Sequence, residues 1–318
     1  MARSGEGVGH TPVLLAQVLE SLEVRPDGVY LDATFGRGGH AGAILSRLGT
    51  DGRLLCLDRD PAAIAGAGDI AADARVSLQH AQFSRLAECA DRVRPGLRFD
   101  GILFDLGVSS PQLDEPARGF SFLADGPLDM RMNPGQGVSA ADVVNHAGEA
   151  ELARIFFEYG EERFARRIAR AIVTDRRERP FRTTLDLAGL IVRVAPGRER
   201  HKHPATRVFQ ALRIHVNREL DELRQGLDRA LERLEARGRL AVISFHSLED
   251  RLVKRFMRDH ARVDPVYAGL PQIPLQALPT LKLIGKSIEP SLQEIEHNPR
   301  ARSARLRVAE RLPEKLAA

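Results

Sequence analysis

The run Val29-Tyr30-Leu31-Asp32-Ala33-Thr34-Phe35-Gly36-Arg37-Gly38-Gly39-His40 constrains this chain more than any other stretch of it. It opens as a short apolar segment that reads as a buried strand. It then breaks into three glycines, and residues 41–48 resume with helical spacing. A strand, a glycine-rich turn and a helix form a nucleotide-type cradle: the glycines permit a tight turn and close ligand approach, and the helix start offers unpaired N–H groups. Twenty residues after Gly38, Asp58 ends the next apolar run, where an acid can accept hydrogen bonds from both hydroxyls of a ribose.

Asp32 separates the candidate ligands. A dinucleotide would bring a pyrophosphate to the loop, and an anion beside it is unfavourable. The same carboxylate suits a ligand with a cationic end, such as the ammonium and sulfonium of S-adenosylmethionine.

The rest of the chain repeats the pattern up to Asp105. Strands are expected at 75–79 and 99–105, with helices near 61–67 and 84–93 and Asp60-Pro61 as a capped helix start. An earlier helix, 13–22, follows Thr11-Pro12. Alternating strands and helices imply a parallel, doubly wound sheet, whose ligands sit at the carboxyl ends of the strands. Asp32, Asp58, Phe83 and Asp105 all fall at that edge.

Beyond Leu106 the alternation stops. Residues 111–134, rich in Gly, Pro and Asp, read as an ordered loop, and helices are expected at 140–145, 149–159, 161–177 and 184–194. A long amphipathic helix is expected over 205–237, stopped by Gly238. A fifth strand follows at 239–245, a helix at 248–260, and two last strands near 280–284 and 304–310. The expectation is therefore an α/β fold of two domains. The first is a discontinuous sheet domain, 1–112 with 218–318. The second is a helical domain, 113–217, inserted at the ligand-bearing edge, where it could hold a substrate over the cofactor.

Composition narrows the setting. No apolar run of about eighteen residues occurs, so no membrane span is expected. Residues 1–9 lack an apolar signal core, which points to the cytoplasm. Cys56, in a strand, and Cys89, in a helix, read as buried small hydrophobes and not as a disulfide framework. Lys plus Arg exceed Asp plus Glu by only 47 to 43, so the distribution of charge carries more than its sum. Arg163, Arg166, Arg167, Arg170, Arg176, Arg177, Arg179 and Arg182 crowd one helix and its exit, followed by Arg198, Arg200, Lys202 and Arg207. Clustered so, they read as a phosphate-contacting surface.

The runs Asp32 to His40, Asp105-Leu106-Gly107-Val108-Ser109-Ser110-Pro111-Gln112-Leu113-Asp114, Arg118-Gly119-Phe120-Ser121-Phe122 and Asp129-Met130-Arg131-Met132 resemble the bacterial RsmH (MraW) family. So do Tyr159-Gly160-Glu161-Glu162-Arg163, His203-Pro204-Ala205-Thr206-Arg207, Ser244-Phe245-His246-Ser247-Leu248-Glu249-Asp250-Arg251 and Asn298-Pro299-Arg300-Ala301-Arg302-Ser303. The resemblance covers nearly the whole chain, in order. It implies a class I, Rossmann-like S-adenosylmethionine methyltransferase sheet with an inserted helical domain. It implies methylation of the exocyclic N4 of a cytidine in the decoding region of 16S rRNA, within the assembling or assembled small ribosomal subunit. By the resemblance, Gly38, Gly39, His40, Asp58, Phe83, Asp105 and Gln112 contact S-adenosylmethionine. Asp32 and Gly36 join them from the reading of the cradle.

A cytosine amine is a poor nucleophile because its lone pair is delocalised, so an acceptor must stabilise the charge that develops on nitrogen. Asp105 and the loop through Ser109 and Ser110 offer carboxylate, hydroxyl and carbonyl acceptors. Other amino-methyltransferases carry an acid or amide followed by Pro-Pro and an aromatic there, and this chain has Asp105-Leu106-Gly107-Val108 instead, so which group accepts stays open. His246, at the end of the fifth strand, lies at the same edge and is a third catalytic candidate beside Asp105 and Ser109. Carbon-5 methylation would need a cysteine nucleophile, which this edge lacks.

Phe120 and Phe122 either stack on an extruded base or belong to a core. With Arg163, Arg166, Arg167, Arg170, His203 and Arg207, Phe120 makes up the expected RNA-contacting set. His201, His203 and His246 have no metal-ligand spacing, and no metal is expected. A monomer or homodimer is compatible with the sequence. Two other readings are a ribosome-binding assembly factor without turnover, which need not bind S-adenosylmethionine, and an NAD-dependent dehydrogenase, which Asp32 disfavours.

Overall fold

The computed structural model describes residues 12–195, 203–267, 269–270 and 272–313. The expected cap Thr11, and Arg198, Arg200, His201 and Lys202 of the basic stretch, lie outside them. The chain divides into two compact units, Met1–Gly107 with Glu222–Ala318, and Val108–Asp221.

The first unit is built on one sheet of seven strands: β1 Val29–Asp32, β2 Arg53–Asp58, β3 Val76–His80, β4 Phe99–Asp105, β5 Leu234–Ser244, β6 Leu281–Leu283 and β7 Arg305–Arg311. Their order is β3-β2-β1-β4-β5-β7-β6. The first five run parallel, and β7 is antiparallel to both β5 and β6. Residues 54–57 of β2 and 102–104 of β4 read as apolar runs because a parallel sheet is covered on both faces. Side chains alternate between two cores: Leu31, Leu55, Leu57, Ile102, Phe104 and Val242 line one, and Tyr30, Leu54, Cys56, Leu103, Ala241 and Ile243 the other. Cys56 and Cys89 are both buried and free, as expected. Gly101 stands opposite Tyr30 in the β1–β4 register, and a Cβ there would lie 2.8 Å from the Tyr30 ring.

Helices α1 Leu15–Ser21 and α2 Gly39–Leu45 cover the face that Tyr30 joins. Helices α3 Pro61–Ala65, α4 Gly68–Ala72 and α5 Leu86–Val93 follow. The Asp60 carboxylate caps α3 by accepting the Ala62 N–H at 3.0 Å.

The second unit is helical: α6 Ser110–Asp114, α7 Ala140–His146, α8 Glu149–Gly160, α9 Ala165–Asp175, α10 Thr184–Val194 and α11 Thr206–Asn217. It has its own core, which includes Phe120, Met130, Phe156, Ile168, Ile191 and Leu212. Helix α12 Glu219–Arg233 begins in the helical unit and continues into the sheet unit, which also contributes α13 Ser247–His260 and α14 Leu292–His297. Among the described residues, no helix is long and apolar enough to cross a membrane.

Three expectations are corrected. The helix expected over 205–237 is two helices, because Arg218 between them is left-handed at φ 51°. The break is anchored by the buried Asn217, whose amide donates to the carbonyls of Met130 at 2.8 Å and Arg213 at 2.9 Å. Its carbonyl oxygen accepts the Met132 N–H at 2.8 Å. Gly238 stops no helix: it lies inside β5, where a Cβ would stand 2.9 Å from the Phe99 carbonyl oxygen. The helix expected from 161 starts at Ala165, because Glu161 is left-handed at φ 51° and the Glu162 carboxylate accepts the Phe164 N–H at 2.8 Å.

Candidate active site

The parallel register sets Asp32 opposite Cys56 and Leu103, so Asp58 and Asp105 each reach two residues further along their strands. Three acids thus share one edge of the sheet unit. Asp32 is 1% exposed. Its Oδ1 accepts the Thr34 N–H at 3.1 Å, while its Oδ2 has no hydrogen-bond partner among the described residues. Burial pushes its pKa up to about 6, against the pull of His40 and of the Thr34 N–H, with Asp105 and Asp58 adding to the rise.

His40, the second residue of α2, is buried. Its Nε2 lies 3.5 Å from Asp105 Oδ2, too long for a closed hydrogen bond, and among the described residues neither ring nitrogen has a hydrogen-bond partner. The other carboxylate oxygen of Asp105 is likewise buried and has no partner among the described residues. Thr34, which sequence reasoning passed over, joins the two strands: its Oγ1 accepts the Asp105 N–H at 2.7 Å. Its place between Asp32 and Gly36 was the available signal.

Asp58 is committed to the loop. Its Oδ2 accepts the Gly36 N–H at 2.7 Å and its Oδ1 the Asp60 N–H at 2.8 Å. Burial raises its pKa, partly offset by these two N–H groups. The glycines divide in role. Gly36 is left-handed, and a Cβ on it would meet only the Thr34 carbonyl oxygen, at 3.9 Å. A Cβ on Gly38 would meet Ile70 at 2.6 Å and Phe35 at 2.8 Å, and one on Gly39 would meet Pro12 at 2.4 Å. Gly38 and Gly39 are therefore also held to glycine by side-chain packing inside the protein, where the sequence suggested a tight turn and ligand approach. Phe83 is half-buried, edge-on to Phe104 with centroids 5.4 Å apart.

His246 caps α13: its Nδ1 accepts the Glu249 N–H at 3.4 Å, and its Nε2 lies 3.1 Å from Glu249 Oε1. The buried Glu249 returns the capping bond by accepting the His246 N–H at 3.3 Å, and also accepts the Phe245 N–H at 2.8 Å. Ser109 and Gln112 belong to the helical unit, where Gln112 is buried and its side-chain oxygen accepts the Ser109 N–H at 3.0 Å at the start of α6.

In the helical unit, Phe120 is 7% exposed and part of the core, so it cannot stack on a base, and that expectation is corrected. Phe122 is half-buried, stacked on His203 at 4.6 Å and edge-on to Phe209 at 4.8 Å. Arg163, Arg166, Arg167 and Arg170 are all exposed, while Ala165, Ile168, Ala169 and Ile172 turn the other face of α9 into the core. Arg170 lies 3.4 Å from the exposed Glu149. Arg207 donates to the Glu161 carbonyl at 2.6 Å.

A parallel sheet of this order, closed by an antiparallel β7 and carrying an acid-lined glycine loop after β1, defines a class I, Rossmann-like S-adenosylmethionine methyltransferase. Residues 7–312 match the model of the MraW methylase family. Curated relatives are similar over nearly their whole length. Ribosomal RNA small subunit methyltransferase H of Thioalkalivibrio sulfidiphilus is 56% identical over 308 residues, 95% of this chain and 97% of its own. The proteins of that name from Pseudoalteromonas atlantica and Shewanella amazonensis are each 54% identical, covering 95% and 96% of this chain and 98% of their own. The chain belongs to the MraW methylase family. It is a methyltransferase, and its cofactor is S-adenosylmethionine.

The residues fit that cofactor. Asp32 Oδ2 and Asp105 Oδ1 are buried acceptors without partners among the described residues, which suits a cationic ligand. Each oxygen of Asp58 spends one lone pair on the loop and keeps another for a ribose hydroxyl.

Proposed function

We propose that this methyltransferase acts on small-subunit ribosomal RNA, and that the acceptor is the exocyclic N4 of a cytidine in the decoding region of 16S rRNA. The names of the relatives support the RNA. The observation that carries the acceptor is the edge that Asp105 shares with Asp32, where among the described residues one buried carboxylate oxygen of each, Asp105 Oδ1 and Asp32 Oδ2, has no hydrogen-bond partner. S-adenosylmethionine supplies a methyl group made electrophilic by its sulfonium. Asp32 balances positive charge on that ligand, and Asp58 holds the ribose while keeping the loop closed. Asp105 accepts a hydrogen bond from the amine, which orients the lone pair and stabilises the charge developing on nitrogen. Ser109 is a second acceptor in this reading. Gly36, Gly38, Gly39, Phe83 and Gln112 complete the cofactor site. Arg163 and the exposed Arg166, Arg167 and Arg170 of α9, with His203 and Arg207, contact RNA phosphates, and the enzyme works in the cytoplasm on the assembling or assembled subunit.

A cysteine attack on the ring does not fit: Cys56 is buried inside β2 with its thiol pKa pushed far up by burial, and Cys89 is buried in α5. The test is nucleoside chromatography of small-subunit RNA after reaction with the purified protein. N4-methylcytidine is the expected product. Finding 5-methylcytidine, or a ribose methyl alone, would overturn the reading.

A further inference from the structure

We propose that Phe157 and Phe164, on either side of the corner between α8 and α9, form a platform on which unpaired bases of the RNA stack. The proposal rests on the reading of the substrate as RNA. It adds what this corner of the helical unit takes hold of, which is nucleotides outside a duplex.

The fold leaves these two rings outside. The chain has thirteen Phe, three Tyr and no Trp. Among the described residues, Phe157 and Phe164 are the only exposed aromatics, at 67% and 37%. In α8 the core takes Leu152, Ile155 and Phe156, so the helical period spends Phe156 inside and turns Phe157 outward. Phe164 precedes α9, whose Ala165 and Ile168 turn inward in its place. Phe120, the aromatic that the sequence offered for stacking, is buried.

The corner that carries both rings is tied down. Glu161 ends α8 in the left-handed region at φ 51° and donates its N–H to the Phe157 carbonyl at 3.0 Å. The Glu162 N–H donates to the Phe156 carbonyl at 3.1 Å, and the Glu162 carboxylate accepts the Phe164 N–H at 2.8 Å. From α11, Arg207 donates to the Glu161 carbonyl at 2.6 Å. Gly160 permits the close approach, because a Cβ on it would stand 2.5 Å from the Arg207 carbonyl oxygen. A base that stacks there orders little of the protein, so little of the stacking energy is lost to entropy.

Charge names the partner. Arg163 adjoins Phe164, and the exposed Arg167 follows it by three residues, within one helical turn. Arg154 precedes Phe157 by the same interval. The acids of the corner are Glu158, paired with Arg154 at 2.9 Å, Glu161 and the buried Glu162. Arg154, Arg163, Arg166, Arg167 and Arg207 outnumber them. Exposed rings among surplus guanidinium groups match a polymer with both flat aromatic faces and phosphates. A paired base hides its faces within the helical stack, so the match is to unpaired nucleotides.

The test uses the full chain and a short end-labelled RNA, offered first unpaired and then annealed to its complement. Fluorescence anisotropy reads affinity for each across a salt series. Phe157→Ala and Phe164→Ala should each weaken the unpaired strand roughly five- to a hundredfold. The salt slope should stay as in the wild type, because no phosphate contact is lost. Duplex affinity should not move. Phe157→Tyr should restore binding, since it keeps the flat face, and Phe157→Leu should not. Thermal melting should find every variant as stable as the wild type. Unchanged affinity of the doubly substituted Phe157→Ala, Phe164→Ala protein for the unpaired strand would overturn the proposal. So would equal losses on strand and duplex, or Leu serving as well as Tyr. A change of self-association in the alanine variants, read by sedimentation, with RNA affinity intact would assign the rings to a protein contact instead. A wild type that binds neither RNA would overturn the RNA reading itself, whereas failure of the platform alone would leave wild-type binding and its salt slope in place.

Discussion

The carboxylate of Asp58 accepts the Gly36 N–H at 2.7 Å, so the residue that closes β2 also fixes the turn that follows β1. Asp58→Ala should therefore have two effects at once. Loss of the ribose hydrogen bonds should weaken S-adenosylmethionine by roughly 1–3 kcal/mol. Loss of the partners of Gly36 and Asp60 should also lower the melting temperature of the ligand-free protein. Isothermal calorimetry and thermal melting read the two separately. Unchanged affinity in a folded variant would remove Asp58 from the cofactor site.

Asp32 should cost the ligand-free protein stability at neutral pH. Its folded pKa, about 6, lies above its ordinary 3.8. A group raised in this way contributes fully below the lower value and loses that contribution as pH rises through the higher one. The loss comes to roughly 3 kcal/mol. Asp32→Asn removes the titration, so its melting temperature should gain on the wild type between about pH 4 and pH 7, while its cofactor affinity falls. A difference that stays constant with pH would show that burial of this charge is not what costs stability.

Reversing the charge of Arg166, Arg167 and Arg170 together should weaken RNA binding and flatten its dependence on salt. The pair that Arg170 makes with Glu149 is exposed on both sides and is worth little to the fold. Cofactor affinity should stay near wild type. Filter binding across a salt series decides it, and an unchanged slope would leave these arginines as solvated surface.

Phe120→Ala should behave as a core deletion, costing about 3–5 kcal/mol in chemical denaturation, because the ring is buried among the helical unit's apolar side chains. Any effect on RNA binding should follow the loss of folded protein and vanish when corrected for it.

The sheet was legible because burial on both faces writes β2 and β4 as apolar runs and because each of three strands ends on an acid. Asp32, Asp58 and Asp105 could be placed from that alone. The helix breaks were not legible. At 205–237 the apolar period runs through Arg218, and what interrupts it is the set of hydrogen bonds from Asn217 to Met130 and Met132, about eighty-five residues away in sequence. Phe120 illustrates the same limit: an aromatic in a glycine-rich loop has no periodicity to assign it a face, and only packing decides. His40 was expected as a cofactor contact, but its nearness to Asp105 depends on the β1–β4 register, which no local pattern reveals.

The place of β7 has a consequence for shortened chains. It lies between β5 and β6 although it follows both in sequence, and in the strand order β6 has no other neighbour. Truncation before Arg305 would thus strip two strands from one side of the sheet. It would leave the backbone of β5, with its apolar run Leu240 to Ile243, open along its length. An exposed apolar edge of that kind is a template for strands of other molecules, so such a product should be lost to aggregation before any defect in methylation could be observed.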